Sequence, residues 1–443
     1  MKHAQPAAGE ADGKHSIQRI AVASVIGTTV EWYDLFIFAT ASALVFNKIF
    51  FPAFDPLVGT LLAFGTFASA YVARIVGAAL FGHFGDKVGR KSMLLVSLVM
   101  MGLATFAIGL LPDYKSIGVW APVLLLTLRV IQGLALGGEW GGAVLMAVEH
   151  APANRKGLYG SWVQIGVPFG TLIANLVFLV SNAFMSSEDM LSWGWRIPFL
   201  ASIVLVGVGM YIRLNISETP SFRQVQQSRE QVKVPLFEVF RRNWSQVLLG
   251  GIATMSTGTS YNLLVAFGLT YGTQTLGHSR NEMLSVVLVS CALCVLLLPV
   301  FGRLSDSFGR KPVILAGIAA EALFAFPMFW LMDMRTFSGA LLGYLLMMTA
   351  FAANYGPIAT FLAELFGAKV RYSGLSIAYM LSGLLGSAAT PIITTALLQS
   401  TGHGSSVAWY MIGSAILSAL CLWLLAETMG RQRQVAMVEG MAS

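Results

Sequence analysis

Apolar residues in this chain do not alternate with polar ones; they come in long runs closed by short polar breaks. Twelve such runs stand out, at 20–46, 57–83, 91–112, 120–147, 157–182, 193–214, 243–271, 282–305, 311–332, 337–366, 371–399 and 405–428. About 20 apolar residues in an α-helix cross a hydrocarbon core of ~30 Å. A transmembrane barrel would instead show segments of ~10 residues alternating apolar and polar, and these runs are too long and too uniform. The pattern predicts an all-α membrane protein with twelve transmembrane helices.

The polar breaks set the organisation. The first 19 residues are polar and lack the short apolar core and cleavage site of a secretory signal, so they read as a tail. The longest interior break, Asn215 to Arg242, is rich in basic residues, shows almost no apolar periodicity and reads as a linker. The expected organisation is a tail at 1–19, a six-helix bundle at 20–214, a linker at 215–242, a second six-helix bundle at 243–428 and a tail at 429–443.

Composition agrees: 56% of residues are hydrophobic and 11% charged, where a soluble domain carries roughly 25% charged residues. The net charge of +7 could suggest a nucleic-acid partner, but its placement speaks against one. With both termini inside, Lys48, Lys115, Arg196, Arg280 and Arg335 fall in external loops, Arg74 and Arg129 lie within the membrane, and the remaining Lys and Arg are cytoplasmic. That asymmetry is the positive-inside rule, and it predicts a multi-pass membrane protein with both termini cytoplasmic. Cys291, Cys294 and Cys421 lie inside predicted spans, and the CxxC pair reads as packing, since zinc would need two further ligands.

A charged phrase occurs twice: GHFGDKVGRK from Gly82 to Lys91, and GRLSDSFGRK from Gly302 to Lys311. Each copy joins the second and third helix of its half. EHAPANR, from Glu149 to Arg155, closes the fourth helix and ELFGAKVR, from Glu364 to Arg371, closes the tenth. The chain therefore reads as a duplication of six helices. Gly82, Gly85 and Gly89 permit a close approach and a sharp turn, while Asp86 with Arg90, and Asp306 with Arg310, supply charge pairs at the water boundary. Glu149 and Glu364 are the expected partners of those arginines, with Arg371 beside them. Two bundles joined by a long linker can rock about a central site, which is the geometry of alternating access. The expectation is a cytoplasmic latch in each half that holds in one state and opens in the other.

These phrases, with RVIQG at Arg129 to Gly133, resemble the signature motifs of the major facilitator superfamily. EWYD at Glu31 to Asp34, LALGGEWGGA at Leu134 to Ala143, WGWRIPF at Trp193 to Phe199, SETPSF at Ser217 to Phe222 and AELFGAKVRYSG at Ala363 to Gly374 resemble its metabolite:proton symporter branch. The resemblance covers nearly the whole chain. It implies a secondary transporter of the kind that carries shikimate, α-ketoglutarate, citrate, proline or betaine, and it does not choose among them.

Charges inside a membrane cost roughly 2.5–3.5 kcal/mol each even on the lenient insertion scale, so those retained call for a role. Glu31 and Asp34 share a face of the first helix about mid-depth. Arg129 and Gln132 share a face of the fourth helix at comparable depth, with Glu139 two turns further on. A guanidinium offers a carboxylate two parallel donors. Arg129 is therefore expected as the chief anchor for a substrate carboxylate, with Arg74 as a second cation. Asp34 is expected to carry the proton, assisted by Glu31 or Glu139. A structural ion-pair lattice remains the plainer alternative. The second half lacks such charges in matching places and offers hydrogen-bonding groups: Tyr261 and Asn262 on the seventh helix, Asn354 and Tyr355 on the tenth, where Pro357 should free backbone groups beside the site. Tyr33, Gln164 and Tyr379 complete the candidate set. Glu321 sits on a helix that should be peripheral and has no account beyond reaching toward the membrane surface.

No P-loop phrase is present and no nucleophile-base set stands out, so the energy source is expected to be a proton gradient, with no cofactor, no metal and no enzymatic activity. The partners implied are a small organic acid, protons and the lipid bilayer, and a monomer suffices. A carrier of zwitterions such as proline or betaine and a non-transporting membrane sensor are the alternatives.

Overall fold

The computed structural model of the chain describes residues 8–52, 56–214 and 235–429. In the first half, α1 spans Ala8–Ala41, α2 Pro56–Val88, α3 Arg90–Leu110, α4 Trp120–His150, α5 Lys156–Phe184 and α6 Arg196–Leu214. In the second, α7 begins with Trp244–Ala253 and Met255–Asn262 and continues through wide π-helical turns to Tyr271–Thr275. It is followed by α8 at Arg280–Phe308, α9 at Arg310–Asp333 and α10 at Phe337–Leu365. Helix α11 runs from Arg371–Ser382 through a π-helical stretch, Gly383–Ala388, to Ala389–Thr401, and α12 is Gly404–Leu424. Among the described residues, nine of these stretches are long and apolar enough to cross a membrane. Helices α1, α2 and α7 stand where the first, second and seventh spans are predicted.

Three departures from the sequence pattern have physical reasons. The helical path of α1 starts at Ala8, inside the segment expected as a tail. Pro235–Arg242 is helical although it falls in the segment read as a linker; Val239 is buried and Phe237 exposed. The remaining linker, 215–234, and the tail at 430–443 lie outside the described residues. Pro357 does not break its helix, and α10 is continuous from Phe337 to Leu365. Irregular, π-helical turns occur instead within α7 and α11, and also at Ser42–Phe46 after α1 and Met190–Gly194 before α6.

Each repeated phrase forms a turn of a single residue. Gly89 alone separates α2 from α3 at φ 120°, and Gly309 alone separates α8 from α9 at φ 101°. A Cβ at such φ collides with its own backbone, so glycine is what this turn requires.

Within the first half α2 packs on α4, α1 on α5, and α3 on α4 and α6; within the second α9 packs on α10 and α12, and α8 on α10. The halves meet chiefly where α5 faces α8 and α2 faces α11. The Gly-rich stretch of α4 allows its backbone to touch that of α2: a Cβ at Gly137 would lie 2.2 Å from the Arg74 carbonyl oxygen. Small residues at a seam are how helices approach in lipid. Many large apolar side chains point outward, among them Val72, Leu103, Trp330, Trp409 and Trp423, as a lipid-facing surface requires. All three cysteines are buried and unpaired by disulfides.

Candidate functional site

A cavity lies between the two halves. Trp32 of α1, Tyr71 and Arg74 of α2, and Val167 of α5 form one wall. The other comes from α7 (Thr257, Tyr261, Asn262), α10 (Phe351, Tyr355) and α11 (Tyr379, Ser382, Ser387). Its space is about 40 Å³, far below the roughly 300 Å³ at the small end of ligand sites, so the walls must part to admit a metabolite.

The aromatic walls are held from behind. Tyr379 stacks on Trp140 at 3.5 Å between ring centroids, and the Trp140 indole donates to Gln164 Oε1 at 2.9 Å. Gln164 in turn donates to the Tyr355 carbonyl at 3.1 Å, across the two halves. The hydroxyls of Tyr355 and Tyr379 share a hydrogen bond of 2.9 Å, and those of Tyr261 and Thr171 one of 2.6 Å.

Arg74 is the charged residue on these walls. Its Nη2 lies 3.7 Å from Glu31 Oε1, and its guanidinium covers the Tyr71 ring at 5.2 Å. The Nε and Nη2 of Arg74 have no hydrogen-bond acceptor among the described residues. Two N–H-bearing nitrogens of one guanidinium are thus available beside the cavity.

Behind this wall is a second charge cluster. Asp34 Oδ2 lies 3.7 Å from Arg129 Nη1. Asp34 accepts from Thr105 Oγ1 at 2.6 Å and from Gln132 Nε2 at 3.0 and 2.9 Å, and Arg129 donates to Gln132 Oε1 at 3.1 Å. The Phe38 ring covers the Arg129 guanidinium at 4.1 Å. Asp34 and Arg129 are fully buried. Arg129, expected as the chief anchor, is therefore not on the cavity wall: its place on α4 turns it toward Asp34 and Phe38 of α1, and Arg74 on α2 takes the wall. Gln132, Tyr33, Gln164 and Asn354 are also off the wall. Tyr33 faces α6, donating to the Pro198 carbonyl at 2.8 Å. Glu139 accepts from Ser97 Oγ at 2.7 Å on the α3 side. Of the expected binding residues, Arg74, Tyr261, Asn262, Tyr355 and Tyr379 line the cavity together. Trp32, Tyr71, Thr105, Trp140 and Phe351 were missed. Trp32 had a signal, being adjacent to Glu31 in the charged phrase, but a hydroxyl such as Thr105 in an apolar helix has none.

On the face that carries the α2–α3 and α8–α9 turns, the repeated phrases close the gap between the halves. Arg90 reaches Asp86 at 3.8 Å and Glu149 at 3.4 Å, and Glu149 binds Arg371 of the other half at 2.9 Å. The second copy pairs Arg310 with Asp306 at 2.7 Å and with Glu364 at 3.3 Å. Each aspartate also caps a helix of the opposite half. Asp86 accepts from the backbone N–H of Tyr372 and Ser373 at 3.3 and 3.1 Å, and from Ser373 Oγ at 2.8 Å, at the start of α11. Asp306 accepts from the N–H of Gly157 and Leu158 at 2.7 and 2.9 Å, at the start of α5. A carboxylate there satisfies N–H groups that the helix leaves open and complements the helix dipole. Gly82 abuts Ser373, where a Cβ would lie 2.7 Å from its Cα. Glu427 adds an unexpected strut, accepting from the N–H of Arg310 and Lys311 at 3.1 and 2.9 Å.

Comparison with known proteins agrees with this architecture. The Major Facilitator Superfamily model matches residues 36–384 and 251–440. The inner membrane metabolite transport protein YhjE of Escherichia coli is 41% identical over 94% of this chain and 95% of its own. The shikimate transporter of the same organism is 38% identical over 93% and 95%, and its proline/betaine transporter 31% over 95% and 85%. Among solved structures, the proton:xylose symporter XylE bound to 6-bromo-6-deoxy-D-glucose superposes with a TM-score of 0.75 at 19% identity, covering 94% of this chain and 98% of that one. At that identity the likeness speaks to fold. Matched nearly end to end by relatives of this kind, the chain belongs to the major facilitator superfamily and is a membrane transporter, not an enzyme.

Proposed function

We propose that this transporter imports a small organic acid together with protons across a bacterial inner membrane, its latch face and termini cytoplasmic. The observation that carries the reading is Arg74: a wall guanidinium with two nitrogens lacking acceptors and a carboxylate, Glu31, close by. A substrate carboxylate taking both N–H groups draws Arg74 from Glu31. A buried carboxylate without its cation favours the protonated form, so anion binding and proton binding support each other, which is symport. Asp34, coupled to Arg129 one layer further in, is the second member of the relay and the main proton carrier, with Glu139 as a third buried acid. Tyr261, Asn262, Tyr355 and Tyr379 offer hydroxyl and amide groups for the rest of a hydroxylated or keto acid. The similarity to a shikimate transporter supports this class.

One observation favours a zwitterion instead. The aromatic walls formed by Trp32, Tyr71, Tyr261, Phe351, Tyr355 and Tyr379 also suit a quaternary ammonium, and the proline/betaine relatives are similar over most of the chain. Uptake of radiolabelled shikimate, α-ketoglutarate, succinate, citrate, protocatechuate, proline and betaine into proteoliposomes separates the readings. Ionophore-sensitive accumulation of an organic acid is expected. Accumulation confined to proline or betaine would replace the substrate class, and ligand binding without any uptake would favour a sensor.

A further inference from the structure

Glu321 lies in the middle of α9, the helix the sequence places at the periphery, yet its side chain is 1% exposed and turned inward. It meets Asn354 of α10, whose Nδ2 donates to Glu321 Oε2 at 3.1 Å and to Ser256 Oγ of α7 at 2.9 Å. Ser256 and Ser260 of α7 face the same carboxyl. No cation pairs with it among the described residues. Helices α7 and α12 contain no Asp, Glu, Lys, Arg or His. In α10 the one acid, Glu364, is bound to Arg310, and the charged residues of α8, Arg280, Glu282, Arg303 and Asp306, stand at its ends. Of the nearby tyrosines, Tyr344 donates to the Leu264 carbonyl, Tyr355 bonds Tyr379 and Tyr261 bonds Thr171; Cys291, Cys294 and Cys421 make no bond to the carboxyl.

Two oxygens at this spot have no donor: Glu321 Oε1 and Asn354 Oδ1, both in side chains that are at least 99% buried. An ionised Glu321 would thus be a buried charge with neither a cation nor a full set of donors, an arrangement that costs several kcal/mol. One added proton removes the fault. On Oε1 it neutralises the charge and makes a donor where there was an orphan acceptor.

The internal duplication gives this place a counterpart. Asn354 stands 215 residues after Glu139, the same interval that separates Glu149 from Glu364. In the first half the acid is on α4 and its hydroxyl partner, Ser97, on α3; in the second the acid is on α9 and its amide partner on α10. Gly317, one turn before Glu321, touches the backbone at Asn354, where a Cβ would come within 2.3 Å of its nitrogen. Neighbours of these residues, Thr257 and Tyr261 on α7 and Tyr355 on α10, line the cavity.

We infer that Glu321, held by Asn354, is a second proton-binding site, one layer behind the second-half wall of the cavity. Opening of α7 away from α9 and α10 wets the carboxyl and releases the proton; closure takes it up again. The site extends the proposed symport by a titrating group in the half whose described residues form no ion pair in mid-membrane. Its occupancy by a proton does not depend on which substrate is carried.

The test is infrared difference spectroscopy of the purified full-length protein, without substrate, titrated in potassium buffer. A protonated-carboxyl band present at neutral pH should vanish in Glu321→Gln and persist in Asp34→Asn. Asn354→Ala, which removes one hydrogen-bond partner, should shift the band without abolishing it, and this guards against a fold defect in the first variant. A spectrum unchanged by both Glu321→Gln and Asn354→Ala would overturn the assignment. So would loss of the band on replacing potassium by sodium at constant pH, which would mark a metal-cation site instead.

Discussion

Replacing Asp86 with Asn should tilt the transporter toward a state open on its latch face. In the closed arrangement the Asp86 carboxylate takes three donors from the start of α11, at 3.3, 3.1 and 2.8 Å, with Arg90 at 3.8 Å. A hydrogen bond to a charged group contributes about 1.5–3 kcal/mol and a neutral one about 0.5–1.5. The amide has one acceptor oxygen where the carboxylate has two, so it forfeits at least about 1 kcal/mol per bond, roughly 3 in all, and recovers part of it because a buried charge no longer has to be desolvated. A net shift of about 2 kcal/mol moves the open-to-closed ratio roughly 30-fold. Spin labels at the exposed positions Val88 and Phe308, one in each half, report the separation by pulsed dipolar spectroscopy. The variant should gain a longer-distance population, and Asp86→Asn with Asp306→Asn should gain more. Unchanged distances in both would refute the view that the two caps hold this face shut.

Other consequences follow from the same geometry. Arg74→Lys keeps the charge but loses the two-pronged donor, so KM for the organic acid should rise roughly 10–100-fold, worth about 1.4–2.8 kcal/mol; a KM within twofold of the parent would remove Arg74 as anchor. Asp34→Asn should abolish proton-driven accumulation while counterflow exchange of labelled substrate continues, and full active uptake in that variant would remove Asp34 from the relay. Gly137→Val, whose side chain would strike the Arg74 carbonyl, should lower the melting temperature of the purified protein and raise KM by displacing Arg74; unchanged values would mean that the α2–α4 contact is looser than it stands here.

What the sequence made legible is what the bilayer and the duplication impose. Long apolar runs have one solution in lipid, so the spans lie within a few residues of their predicted places over most of the chain. The twice-written GDKVGRK and SDSFGRK phrases could be recognised as matched devices, and the Arg90–Glu149 and Arg310–Glu364 pairings follow from their places at helix ends. Rotational setting was not legible. Whether a charged residue in a uniformly apolar helix faces a cavity, a neighbouring helix or lipid depends on packing, and polarity alone could not rank Arg129 against Arg74. The same gap hid Glu321, because a helix at the edge of a bundle still has one inward face. Nor could Pro357 be separated from the irregular turns: α10 absorbs it within a well-packed interior, whereas α7 and α11 deform without any proline at their π-helical turns. The capping of α5 and α11 by Asp306 and Asp86 joins residues of opposite halves, and only the assembled pair of bundles brings them together.

The proposed symport stands on substrate and proton moving together. A pH electrode in a lightly buffered suspension of proteoliposomes, followed after addition of the accumulated organic acid, measures this directly. Prompt alkalinisation of the medium is expected, abolished by a protonophore and reduced to background in Asp34→Asn. Uptake of the same acid with no change in external pH, or alkalinisation that survives in Asp34→Asn, would contradict it.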